Sequence, residues 1–167
     1  NSNQKAYLYT LCSSGSSHFG VGGIVIFENQ KTVSHYVYGE NGLDQGMIAL
    51  SDINKDGMDE LVLLDFQVHQ GYGDGAISIV SFPNRKFNFI GTTTTFSDNG
   101  GAVEDEKNTK ADAFDIFVQP GTTPVFYRDI YEKKGKSKNW SLVKSREKFT
   151  LDKLEAEFLQ NYKEISE

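Results

Sequence analysis

The chain has 167 residues, a net charge of −6 and 13% aromatic residues, which is the size of one domain able to bury a core without staples. The acidic balance excludes a nucleic-acid surface, since that requires clustered Lys and Arg against phosphates. No apolar run reaches the about 18 residues of a membrane-spanning helix, and a single Cys12 excludes an intramolecular disulfide.

Strand patterns follow one another along the chain. "KAYLYTLC" (5–12) alternates apolar and polar residues and carries Cys12, read as a buried, inert thiol. A Gly- and Ser-rich loop (12–23) precedes "GGIVIFE" (22–28) and "TVSHYVYG" (32–39), which flank the short connection "NQK". A second Gly-rich loop, "GENGLDQG" (39–46), leads to the polar stretch "DINKDGMDE" and then to "ELVLLDFQV" (60–68), apolar enough for a buried strand. "GAISIVSF" (75–82) and "KFNFIG" (86–91) flank "PNR". After the loop 97–110 come "DAFDIFVQ" (112–119), "TPVFYRDIYEKK" (123–134) and "NWSLVKS" (139–145), with "EKKGKSKNW" reading as a solvated hairpin tip. Leu151, Leu154, Phe158, Tyr162 and Ile165 stand at 3–4 spacing, which predicts a C-terminal α-helix over about 150–164 with Thr150 as N-cap.

The strands fall into three strand–turn–strand groups about 50 residues apart, with middle strands at 24–27, 77–80 and 125–130. That period lies in the range of repeated β-architectures such as propeller blades. The expected fold is therefore mainly β: one domain over 1–167, with antiparallel blade-like or sandwich sheets and the C-terminal helix.

Chemistry concentrates at 52–60. Asp52, Asn54 and Asp56 alternate, Gly57 allows a sharp bend, Met58 can offer a backbone carbonyl and Glu60 a carboxylate. Oxygen donors at every second position with a Gly sixth are what a calcium ion, taking 6–8 oxygens, requires of a short loop. The twelfth place of an EF-hand would be Leu63, so the bidentate glutamate is missing, and a strand rather than a helix follows. "DINKDGMDELVLL" resembles the calcium loop of the FG-GAP family and the related VCBS repeats, in which an Asp-x-Asn/Asp-x-Asp-Gly-x-x-Asp loop enters a propeller blade. The resemblance implies calcium ligands at Asp52, Asn54, Asp56 and the Met58 carbonyl, with Glu60 replacing the usual final Asp. A second acidic stretch, Glu104, Glu106 and Asn108, aligns with this loop as a decayed copy or by coincidence, and no metal is expected there.

The three histidines, His18, His35 and His69, are scattered, so no zinc cluster is expected. His69 lies beside the Gly-rich "HQGYGDG", where Tyr72 and Asp74 join it as candidate contact residues. These features lead to a non-catalytic, calcium-binding β-domain that recognises a protein or carbohydrate partner through Gly- and Tyr-rich loops. An acidic inhibitor or immunity protein fits the same pattern. The alternatives are an envelope enzyme acting on sugars through His69, or a structural piece of a larger propeller. A chain starting at Asn1 suits a processed, extracytoplasmic protein.

Overall fold

The computed structural model describes residues 4–12, 20–38, 46–105, 108–153 and 163–164. Among the described residues eleven strands run in chain order: β1 Gln4–Cys12, β2 Gly20–Glu28, β3 Lys31–Tyr38, β4 Gly46–Leu50, β5 Glu60–His69, β6 Tyr72–Ser81, β7 Asn88–Asp98, β8 Lys110–Gln119, β9 Val125–Lys134, β10 Ser141–Phe149 and β11 Lys163–Glu164. They form two antiparallel sheets, one ordered β1-β2-β3-β11 and the other a seven-stranded meander from β4 to β10.

The turns explain the pairing. Asn29 and Gln30 both take positive φ (51° and 67°), as do Gln70 and Gly71 (50° and 86°). Two-residue loops of this hand match the strand twist and close tight hairpins, here setting Glu28 opposite Lys31 and His69 opposite Tyr72. At the β6–β7 corner Pro83–Arg85 makes a single 3-10 turn. The Arg85 carbonyl accepts the hydroxyls of Ser34 (2.6 Å) and Tyr36 (2.7 Å), and the Phe87 N–H donates back to the Tyr36 hydroxyl (2.8 Å). An Arg85–Glu28 ion pair adds to this clamp between the sheets.

Alternation then fills two cores. Ile24, Ile26 and Tyr36 of the first sheet meet Leu63, Val80 and Phe82 of the second. A further core gathers Ile53, Ile79, Phe126 and Leu151, with Val62, Ile90, Val118 and Phe149 around them. It draws on both halves of the seven-stranded sheet. Those halves share only a short ladder, Phe96–Asp98 with Ala111–Ala113. The chain after β10 returns to β7, where Thr92 and Asp152 exchange backbone hydrogen bonds at 2.9 Å in each direction.

Three expectations change. The second and third strand groups are not separate blades; they are successive hairpins of one sheet, because β7 and β8 pair across the 97–110 connection. "HQGYGDG" is not an open loop: Gln70–Gly71 is the whole turn, and Tyr72 to Asp74 lie in β6. No α-helix occurs among the described residues. The ends of the span expected to be helical are extended, since Asp152 bridges Thr92 and Lys163–Glu164 pair with Tyr36–Val37. Residues 154–162, the middle of that span, lie outside the described residues. Leu151 is indeed buried, but in the second core as part of an extended segment.

Candidate metal centre

The loop between β4 and β5 is mostly polar, with Ile53 and Met58 its apolar side chains. Ile53 is buried in the second core, and its neighbours Asp52 and Asn54 are half-buried. The Ile53 side chain pins the loop to the sheet. Its backbone is held on both sides as well: its N–H donates to Glu60 Oε2 (2.8 Å) and its carbonyl accepts the Gly121 N–H from the β8–β9 turn (2.8 Å).

Around that anchor the loop winds on its own oxygens. Asp52 Oδ1 accepts the Asp56 N–H (3.1 Å) and Asp52 Oδ2 the Gly57 N–H (2.9 Å). Asn54 Oδ1 accepts the Asp56 N–H (2.8 Å), and its amide donates to Asp56 Oδ2 (3.0 Å). The Met58 N–H donates to Asp56 Oδ1 (2.9 Å), and the Asp52 N–H to Asp59 Oδ1 (3.1 Å). Lys55 and Gly57 take φ of 61° and 93°, and these left-handed residues let the chain turn back so tightly.

The result is convergence. Asp52, Asp56 and Glu60 each place a carboxylate oxygen within 4.8 Å of the others, the one such acidic group among the described residues. Asn54 is tied to Asp56, and Met58 joins through its N–H. A carboxylate oxygen that accepts one hydrogen bond keeps further acceptor capacity.

Glu60 is the unusual member. It is fully buried, at 0% exposure, and Oε1 has no hydrogen-bond partner. Burial pushes its carboxyl above the usual range; the Ile53 N–H opposes this, and the charges of Asp56 and Asp52 add to it. A buried carboxylate oxygen left unpaired is costly. A cation among Asp52, Asp56 and Glu60 would satisfy it, so the residues present fit a metal. The donors are all oxygen, which suits a hard ion rather than zinc.

The candidate contact residues lie elsewhere. His69 and Tyr72 face each other across the last pair of the β5–β6 hairpin, and Asp74 pairs with Gln67. All three are exposed. Nine residues of extended chain separate His69 from Glu60, about 30 Å along the same strand, so they form no part of the acidic cluster. Sequence reasoning missed Asp59, Ile53 and Gly121 as supports of the loop. The lone Ile inside a polar run was the available signal for Ile53; nothing local marks Gly121.

Comparisons with family models, with known proteins and with solved structures give no match for this chain.

Proposed function

We propose that this chain is a non-catalytic calcium-binding β-domain, extracytoplasmic, whose loop 52–60 holds the ion through Asp52, Asn54, Asp56, the Met58 carbonyl and Glu60. The observation that carries this reading is the buried Glu60, with an unpartnered Oε1, clustered with two further carboxylates. Three ionised carboxylates give the loop a formal charge of −3, which a divalent cation largely neutralises. Calcium fits better than magnesium, because a loop of carboxylate, amide and carbonyl oxygens supplies irregular coordination, whereas magnesium demands a tight octahedron and keeps its water.

The ion acts as a brace. Glu60 begins β5, and Ile53 ties the loop to the second core and to the β8–β9 turn. Holding Asp52 and Asp56 against Glu60 therefore fixes the junction of the loop, the start of β5 and the distant β8–β9 turn. On this frame the exposed β5–β6 turn, with His69, Tyr72 and Asp74, is the surface offered to a protein or carbohydrate partner, in the manner of a binding or inhibitory module. An extracytoplasmic setting suits such a site, since extracellular calcium modules work at about 10⁻⁴–10⁻³ M.

Isothermal titration of the metal-free chain tests the calcium reading. Calcium is expected to bind with one site per chain and magnesium more weakly. No binding at millimolar calcium would sink it and leave 52–60 as a polar turn.

A further inference from the structure

We propose that the tip of the β9–β10 hairpin docks on an anionic lipid surface, through Trp140, Leu142 and Val143 set among lysines. Three large apolar side chains within four residues stand in solvent here: Trp140 at 40% exposure, Leu142 at 52% and Val143 at 51%. β10 is the edge of its sheet, residues 141–146 are exposed throughout, and the ladder slips between Leu142 and Lys144, leaving Val143 as an extra residue on the edge. Burial within the described chain does not account for these side chains.

Charge indicates what meets them. Residues 132–144 hold five lysines (133, 134, 136, 138 and 144) against Glu132, a net +4; since the whole chain carries −6, the remainder carries −10. The net negative charge of the remainder opposes approach to an anionic surface, and the positive tip favours approach by this end. Lysines beside exposed Trp and aliphatic groups form the composition that binds a bilayer interface: ammonium groups meet lipid head groups, while the indole sits at the head-group level.

The tip is built firmly enough to present them. The Gly135 N–H donates to the Thr109 carbonyl (2.9 Å), and Ser137 and Asn139 bond each other reciprocally. Trp140 leans edge-on against Phe96, with ring centroids 6.4 Å apart, and Lys133 Nζ stands 5.3 Å from the indole centroid. A sugar is the less suitable occupant. The rings of Phe66, Phe96 and Trp140 are tilted by 46° and 63° in succession and share no plane for stacking, and Leu142 and Val143 offer a glycan no hydrogen bond.

Trp140 is the only tryptophan of the chain, so intrinsic fluorescence reports this site alone. The full chain is titrated with vesicles of phosphatidylcholine containing phosphatidylserine and with vesicles of phosphatidylcholine alone. Chelator is present, which keeps the outcome independent of the calcium loop. Sedimentation with the anionic vesicles and a blue shift of Trp140 are expected, and neither with the neutral ones. Lys136→Gln with Lys138→Gln should weaken partition about 25-fold, from about fivefold per lysine; Leu142→Ser with Val143→Ser should weaken it also, with circular dichroism confirming the fold of each variant. Raised salt should release the wild-type chain, a readout that needs no variant. Failure to sediment with anionic vesicles overturns the proposal. So does sedimentation without a blue shift, and so does an equal shift with heparin or with a neutral oligosaccharide, which would identify a soluble polyanion or a glycan as the occupant.

Discussion

Replacing Glu60 by Gln separates a metal ligand from a merely structural acceptor. The substitution keeps the shape and an oxygen able to accept the Ile53 N–H, now 2.8 Å from Glu60 Oε2. It removes a charge that is fully buried, has one unpaired oxygen and faces Asp52 and Asp56, and it turns an amide donor toward those two carboxylates. An unsatisfied buried polar group costs about 1–3 kcal/mol, more when charged, so in chelator Glu60→Gln should be more stable than the wild type by about that amount. In calcium the order should reverse. The wild type gains about 2.7 kcal/mol at a hundred times the dissociation constant, and the variant, with its ligand charge cut by one, gains little. For a domain of this size 1 kcal/mol moves the melting temperature by about 2–4 °C, so calcium should raise that of the wild type by about 5–11 °C. Differential scanning calorimetry of both proteins, each with calcium and with chelator, gives the four numbers. If Glu60→Gln is destabilised equally in both conditions, Glu60 serves only to hold Ile53, and the metal reading of this residue is refuted.

Asp52→Ala removes the acceptor of two backbone N–H groups as well as a ligand, so it should abolish the calcium-induced rise in melting temperature and also cost about 1–2 kcal/mol in chelator; Asp52→Asn should abolish most of the rise at a smaller cost in chelator. Leu151→Ala opens a cavity in the second core and should cost about 2–5 kcal/mol by urea unfolding. An unchanged midpoint would show that Leu151 does not fill that core. Burial raises the Asp65 carboxyl, partly offset by Gln67, so the folded chain holds this proton more tightly than the unfolded one, and the contribution of Asp65 to stability falls as pH rises through the carboxylate range. Asp65→Asn should therefore raise the melting temperature at pH 7, with the gain vanishing below the ordinary Asp value of about 4.

Strand positions were legible wherever one face is buried. Ile24 and Ile26 alternate with the less buried Val25 and Phe27, and the period of two shows directly in the sequence. What escaped has physical reasons. β4, "GMIAL", is five residues on a sheet edge with Ile48 exposed; a short edge strand has no buried face to impose alternation. The β5–β6 turn is Gln-Gly rather than Asn-Gly or Asp-Gly, so the hairpin signal was weak, and the surrounding glycines suggested a loop. Those glycines have another use: Gly73 and Gly75 lie under Phe66 and Phe96, with ring or side-chain atoms 3.2–3.8 Å from where a Cβ would stand. The 3–4 spacing from Leu151 onward reads as helical. Leu151 is apolar for a different reason: it fills the second core beside the Thr92–Asp152 bridge.

The acidic loop was legible because its parts are local. Asp52, Asn54 and Asp56 alternate over five residues, and Gly57 supplies the bend; no distant contact is needed to bring them together. What the sequence could not tell is why the last position differs in kind. Glu60 is the first residue of β5, where the strand has already entered the interior, and it pairs with Leu50 of β4. Its neighbours in space are set by Ile53, by Gly121 from the β8–β9 turn and by the second core; of these only Ile53 stands within the nine-residue motif. A polar turn made only to cap a strand has no use for a buried carboxylate: an exposed Asp or Ser would accept the same backbone N–H without the desolvation cost. That cost is sensible if a cation offsets it, and then burial is an advantage, because the same low dielectric that penalises the empty carboxylate strengthens its attraction to the ion. The position of the acidic residue farthest from solvent is thus the feature that distinguishes a brace from a turn, and the Glu60→Gln comparison in calcium and in chelator measures it directly.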